Sequence, residues 1–310
     1  MRYMITGGAG FIGSNIARQL VSKGDTVRIL DNFSSGRRSN LADINSSIEL
    51  IEGDIRDFPT VTKAVKGMDY VLHQAALPSV PRSIDDPVTT NAVNIDGTLN
   101  VLEASKRAGV KKFVIASSSS VYGESEELPK HEAMRPSPLS PYAVTKLTCE
   151  YYCLNYWRLY KFPTVCLRYF NIFGPYQDPA SQYAAVVPKF ITAFLEGAQP
   201  TVFGDGEQSR DFTYIDNCVQ ANLLAATNDD IVGDVFNVAC AGQFTLNHLL
   251  DALRKIIGVD IKAIYDAPQP GDIKHSFANV SKLMKFGYDP KVSFDDGLKQ
   301  TVEFFRSLQS

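Results

Sequence analysis

Tyr142 and Lys146 stand one helical turn apart in Tyr142-Ala143-Val144-Thr145-Lys146, so a helix there puts both side chains on one face. A phenol titrates near pH ~10 in isolation and is a poor base at neutral pH. A neighbouring ammonium stabilises the phenolate and lowers that value. The pair therefore suits removal of a proton from a hydroxyl while hydride leaves the same carbon. By itself it says little in a chain with 14 tyrosines. A hydride acceptor must also be held, and the N-terminus carries a pattern for one. Thr6-Gly7-Gly8-Ala9-Gly10-Phe11-Ile12-Gly13 follows the apolar run Tyr3-Met4-Ile5 and opens a helix-like stretch to Leu20. Gly7 allows a tight turn, Gly10 lets the backbone approach a pyrophosphate, and Gly13 lets the helix pack close to the strand. The helix N-terminus offers unpaired N–H groups and a positive dipole end to the phosphates. A second strand, Thr26 to Leu30, ends at Asp31, where an acid binds ribose hydroxyls. Asp31 repels the 2′-phosphate of NADP and favours NAD, whereas Arg37 and Arg38 nearby keep the phosphorylated cofactor open as an alternative.

The elements that must position these groups follow from periodicity. Short β-branched runs at 3–6, 26–31, 48–52, 69–73, 111–117 and 163–168 alternate with amphipathic stretches at 11–23, 57–66, 92–108 and 141–160. That alternation predicts an α/β fold, a Rossmann doubly wound parallel sheet with helices on both faces. Lys111 to Ser117 reads as a buried strand ending in a serine cluster, at the strand ends where such sheets bind ligands. After residue 170 the alternation weakens, and Phe173-Gly174-Pro175, Gly204-Asp205-Gly206 and Pro268-Gln269-Pro270-Gly271 read as loop punctuation. Residues 1–170 are thus expected to form the dinucleotide domain, with 213–238 returning to it. Residues 171–212 and 239–310 are expected to form a smaller C-terminal α/β substrate lobe.

At 310 residues and a net charge of −3, the chain is long enough for a large core and lacks a basic footprint for nucleic acid or a membrane surface. A strand starting at residue 2 or 3 leaves no room for a signal peptide, and a cytoplasmic protein is expected. The five cysteines, Cys149, Cys153, Cys166, Cys218 and Cys240, read as small core residues without a metal site.

Together, TGGAGFIG, the serine run from Ser117 to Gly123, Tyr142-x-x-x-Lys146 and Leu167-Arg168-Tyr169-Phe170-Asn171 resemble the extended short-chain dehydrogenase/reductase family, and more narrowly its UDP-sugar 4-epimerases. His73-Gln74-Ala75-Ala76, Leu139-Ser140-Pro141-Tyr142 and Gly206 to Asp216 fit the same pattern across essentially the whole chain. The resemblance implies NAD as cofactor, a UDP-hexose substrate, a place in galactose metabolism and a homodimer formed through the long helices near 92–108 and 141–160. It assigns catalysis to Ser118, Tyr142 and Lys146, with Ser118 bonding the sugar's 4-oxygen; a strand-end cap is the plain structural alternative for that serine. It assigns cofactor contacts to Gly7, Gly10, Phe11, Ile12, Gly13, Asp31, Asn32, Ser34, Ser35, Gly36, Asp54, Ile55, Gln74, Ala75, Ala76 and Tyr169, beside Tyr142 and Lys146. Substrate contacts fall on Pro78, Ser118, Ser119, Ser120, Asn171, Ala185, Val187, Arg210, Asp272 and Ser276.

Neighbouring positions sort the family's chemistries. The family's 4,6-dehydratases carry Asp-Glu directly after the catalytic Ser/Thr, and this chain has Ser119 and Ser120 there, which cannot act as that acid–base pair. The family's Arg before Gly-Asp is Gln269 here, shifting expected diphosphate binding to Arg210, Lys274 and Arg82. Ser276 stands where glucose-restricted relatives carry Tyr, leaving room for a 2-N-acetyl group, although Pro78 departs from the Gly common in the N-acetylhexosamine subgroup. The alternatives are a UDP-sugar decarboxylase or dehydrogenase of the same fold, or an inactive nucleotide-sensing protein.

Overall fold

The computed structural model describes residues 1–125, 127–179, 185–268 and 274–309. Seven strands form one sheet: β1 (Arg2–Thr6), β2 (Thr26–Asp31), β3 (Ile48–Glu52), β4 (Tyr70–His73), β5 (Lys112–Ser118), β6 (Thr164–Tyr169) and β7 (Asp234–Val238). Their order is β7-β6-β5-β4-β1-β2-β3, and every neighbouring pair is parallel. Central strands of such a sheet are covered on both faces, which is why β6 is buried at every position and β5 at all but its last.

Alternate side chains on each strand serve two different cores. Tyr3, Ile5, Val114, Ala116 and Leu167 enter one, packed under α1 (Phe11–Ser22). Met4, Leu30, Phe113, Ile115 and Cys166 enter the other. That second core is covered by α2 (Phe58–Val65), α3 (Gly97–Arg107) and α4 (Pro141–Tyr160). The first core continues unbroken into the C-terminal part, through α5 (Val186–Leu195), α6 (Ile215–Thr227), α7 (Leu246–Ile257) and α8 (Phe294–Ser307). The segment 213–238 contributes α6 to a face of the sheet and β7 to its edge.

Two elements differ from the sequence reading. The stretch 92–108 is not one α-helix, because Ala92–Asp96 forms a wider π turn before α3. Asn94 lies in that turn; its amide donates to the Leu77 carbonyl and to Thr145 Oγ1 while its side-chain oxygen accepts from Leu77 N–H. The widened turn thus pins the loop after β4 to α4. Beyond residue 170, strands of two or three residues appear, such as Ser209–Arg210, Phe244–Thr245 and His275–Ser276, which join in one small sheet.

His73 closes β4 inside the fold. Its Nδ1 lies 2.7 Å from Thr6 Oγ1 and its Nε2 lies 2.8 Å from Thr98 Oγ1, so the ring joins β4 to β1 and α3. Burial, then the charge on Lys146, pushes its pKa down to about 3. The unfolded chain takes up this proton near pH ~6.5, so folding stability falls as pH drops from there toward 3. This one group adds a slope of up to about 1.4 kcal/mol per pH unit in that window. Thermal midpoints measured from pH 7 to 4 are expected to fall less steeply in His73→Gln than in the parent; equal slopes would show that His73 is not held neutral.

Candidate active site

The strand order reverses between β1 and β4, and the turns leaving their carboxyl ends diverge there. A cleft of about 660 Å³ opens at that point. Its floor is backbone. Gly7 adopts φ +68°, and a Cβ on it would lie 2.7 Å from Ala75 N; one on Gly13 would lie 2.3 Å from the Gly7 carbonyl oxygen. Side chains are therefore excluded from the turn, and the main chain faces the cleft bare. Gly10 caps α1 without a side-chain hydrogen bond from the described residues, leaving its first-turn N–H groups open to an anion. Asp31 is buried behind this turn, with its carboxylate accepting from Ala9 N–H at 2.9 Å and Phe33 N–H at 2.8 Å. Burial pushes its pKa up, against those two hydrogen bonds. A cradle of this shape, with an uncapped helix end and an acid at the tip of β2, fits a dinucleotide.

Every cofactor residue read from the sequence lines this cleft except Asp54. Arg56, and then Asn32, hold the Asp54 carboxylate at the rim, with distances of 2.8 and 2.9 Å, and its pKa is pushed down to about 2. Its neighbours Gly53 and Ile55 reach the cleft in its place.

The proton-handling pair enters the same cleft from α4. Ser140 caps that helix by accepting from Ala143 N–H, and Pro141 stands at its first turn, which fixes Tyr142 near the helix start. The Lys146 ammonium is buried, donates to the Ala116 carbonyl at 2.8 Å and lies 5.8 Å from the Tyr142 ring centroid. One turn further, the buried Glu150 carboxylate accepts from Ser117 Oγ at 2.5 Å and from both Nε and Nη2 of Arg168, at 2.8 and 2.7 Å. Arg168 also lies over the Tyr122 ring, whose hydroxyl donates to Asn237. Three residues of β5 thus face three jobs: Ala116 anchors Lys146, Ser117 anchors Glu150, and Ser118 ends the strand.

Ser118 caps the tight turn Ser119–Tyr122, accepting from Ser120 N–H at 3.2 Å and from Ser120 Oγ at 2.9 Å. Ser117, which the sequence reading placed in the strand-end serine cluster without assigning it a site role, lines the cleft; Ser118, Ser119 and Ser120 do not.

On the substrate side, Pro78 and Arg82 line the cleft. Asn171, at φ +37°, accepts from Thr213 N–H through its carbonyl. Arg210 and Ser276 are register partners in the small sheet, and Arg210 Nη1 donates to the Ser209 and Lys274 carbonyls. Asp211 clamps this region from beneath, accepting from Cys240 and Ala278 N–H, and burial pushes it up to about 6. Ala185 is the exposed cap of α5. Val187, only 1% exposed, packs its side chain in the core on the inner face of α5. Asp272 and Gln269 lie outside the described residues.

Glu150 continues the four-residue spacing of Tyr142 and Lys146 and was findable on that ground. Tyr176 and Asp178, which line the cleft from a segment read only as loop, carried no local signal. Among the described residues no group of three metal-binding side chains occurs, and no helix is long and apolar enough to cross a membrane.

Comparison with known proteins agrees with this geometry. The profile of the NAD dependent epimerase/dehydratase family matches residues 3–239. The structure of UDP-N-acetylglucosamine 4-epimerase from Methanobrevibacter ruminantium, in complex with UDP-N-acetylmuramic acid, superposes with a TM-score of 0.95 at 43% identity, over 99% of this chain and 98% of that one. UDP-glucose 4-epimerase from Thermus thermophilus, solved with NAD, gives a TM-score of 0.91 at 36% identity over 99% of both chains. A UDP-N-acetyl-alpha-D-glucosaminuronate decarboxylase of Bacillus cytotoxicus is 34% identical over 100% of this chain and 99% of its own length. With its dinucleotide cradle, its Tyr142–Lys146 pair and these relatives, the chain belongs to the NAD-dependent epimerase/dehydratase family of extended short-chain dehydrogenases/reductases.

Proposed function

We propose that the protein is a UDP-hexose 4-epimerase, interconverting UDP-glucose with UDP-galactose and accepting the corresponding 2-N-acetyl sugars. The observation that carries this reading is the cleft that joins the glycine cradle to Tyr142 and Lys146, together with serines at 119 and 120. Bound NAD supplies the hydride acceptor and gives the hydride back, so the reaction needs no net reductant. The protein's part is proton and position control. Tyr142 takes the proton of the sugar 4-hydroxyl as the C4–H bond breaks, leaving a ketone, and returns it when the bond re-forms on the other face. Lys146, fixed at the Ala116 carbonyl, keeps its ammonium beside the Tyr142 ring, 5.8 Å from the centroid. Ser118 hydrogen-bonds the 4-oxygen once it exchanges its internal bond to Ser120 for the substrate. Arg210 neutralises diphosphate charge, and Ser276 beside it leaves space at the sugar's 2-position.

Incubating the purified protein separately with UDP-glucose, UDP-GlcNAc and UDP-glucuronate, then resolving the sugars, tests the reading. C4-epimers without accumulated NADH are expected; loss of carbon dioxide from UDP-glucuronate, or net NADH, would replace it with the decarboxylase or dehydrogenase alternative. Tyr142→Phe keeps the ring and removes the acid–base oxygen, so kcat is expected to fall about 10²–10⁴-fold with nucleotide binding retained. Near-parental turnover would exclude Tyr142 as the base.

Ser276→Tyr is expected to cut activity on the N-acetylated sugars roughly 5- to 150-fold relative to UDP-glucose, the range that overpacking by about 1–3 kcal/mol produces. Equal losses on both sugar classes would show damage to folding or UDP binding instead.

A homodimer is also part of the proposal. Leu102, on the α3 stretch expected to pair, is completely buried in the chain's own core and offers no contact surface. Val144 and Tyr151 on α4 are exposed and available for pairing, and Ile84 and Val88 on the short helices Val80–Asp85 and Pro87–Asn91, outside the expected pair, are exposed as well. A solution mass of two chains at micromolar concentration is expected; a single-chain mass would reject the dimer.

A further inference from the structure

The two arginines that the sequence left open to a 2′-phosphate are both held by carboxylates. Arg38 Nη2 lies 2.5 Å from Glu52 Oε2, with its guanidinium over the Phe33 ring at 4.1 Å. Arg37 Nη2 donates to Asp178 Oδ2 at 2.6 Å. That second pair spans the cleft: Arg37 follows β2, Asp178 comes from the segment after Gly174, and both line the dinucleotide site.

Arg37 is fixed close to the ribose acid. A Cβ on its neighbour Gly36 would lie 3.0 Å from Asp31 Oδ1, and Arg37 N–H donates to the Ala9 carbonyl at 2.9 Å. Asp178 is delivered by a docked segment. Asn15 on α1 donates to the Pro175 carbonyl at 3.1 Å, and the Arg18 guanidinium sits 3.5 Å from the Tyr176 ring centroid. The carboxylate is therefore brought to Arg37 by a segment docked on α1 through two separate contacts.

We propose that Asp178 is a specificity-determining residue for the cofactor: by pairing with Arg37 it takes from the ribose end of the cleft the guanidinium that would receive a 2′-phosphate. A free Arg fork at this position would bind a phosphate monoester through two charge-assisted hydrogen bonds. Paired, it leaves Asp31 as the uncompensated charge, so a 2′-phosphate meets net repulsion while a 2′-hydroxyl does not. Selection of NAD then comes from both sides of the cleft rather than from Asp31 alone.

The test reads bound nucleotide and is independent of the epimerase reading. The full-length purified protein is held with an equimolar excess of NAD and NADP until its nucleotide content is constant. It is then freed of unbound nucleotide and denatured, and the released cofactors are resolved by chromatography. Asp178→Asn, similar in volume, is expected to raise the bound NADP:NAD ratio about fivefold at low salt, the scale of one exposed ion pair, and less at high salt. Adding Arg37→Ala is expected to return the ratio toward the parental value. An unchanged ratio in Asp178→Asn would overturn the proposal, as would a rise that survives in the double variant. Equal loss of both nucleotides, with total occupancy reduced, would likewise overturn it, because Asp178 would then only hold its segment in place.

Discussion

Two cations lie buried behind the carboxyl end of β5, and the rest of the site follows from the need to partner them. Lys146 finds the Ala116 carbonyl, and Arg168 finds both oxygens of Glu150, which also accepts from Ser117. Leaving either charge unpaired in the interior costs about 3–5 kcal/mol, a large share of a domain's stability. A slip of α4 by one residue would turn Tyr142, Lys146 and Glu150 about 100° away from β5 and lose both partners at once. The register between α4, β5 and β6 is thus enforced by electrostatics, and the side chains proposed for proton transfer inherit their placement from it.

The same economy of charge governs the neighbouring groups. His73 lies close enough to Lys146 to feel its field, and burial keeps it neutral, so no further positive charge competes near the phenol. As a neutral ring it still bonds Thr6 and Thr98 and holds together the two strands between which the cleft opens. Asp31 works likewise at the other end, tying the glycine turn to the loop after β2 through Ala9 and Phe33.

Much of this was legible because parallel strands buried on both faces leave contiguous apolar runs. The six strands read from the first 170 residues match the observed ones to within about a residue at each end, within the usual latitude of boundary assignment. The glycine spacing and the Tyr142–Lys146 spacing were legible for the same reason: each is a local pattern imposed by one turn or one helix face. What the sequence hid is non-local. A two-residue strand such as His275–Ser276 has no period to detect, and the Arg37–Asp178 pair joins segments far apart in the chain. That the Val187 side chain faces the core was equally hidden, because a position on α5 does not reveal which face of the helix meets it. The serines at the end of β5 show how fine the distinction is: alternation sends Ser117 toward α4, while Ser118 turns to cap the next element.

Whole-chain similarity does not separate the chemistries this fold supports. An epimerase from Thermus thermophilus and a decarboxylase from Bacillus cytotoxicus stand at 36% and 34% identity over nearly the full length, too close to rank one reaction above the other. On the proposed reading, the shared scaffold supplies a held dinucleotide and a base, and a ketone is formed and consumed in one pocket. Divergence must then lie in the few side chains that meet the sugar after oxidation. At 119 and 120 this chain offers two hydroxyls, which donate and accept hydrogen bonds but do not ionise at neutral pH. Such groups can hold a ketosugar in place without supplying the acid and base that elimination requires. Near Ser276, the backbone is braced by the buried Asp211, which accepts from Ala278 N–H. On the proposed reading, reaction and substrate range rest on small, hydroxyl-bearing positions around a scaffold shared with these relatives.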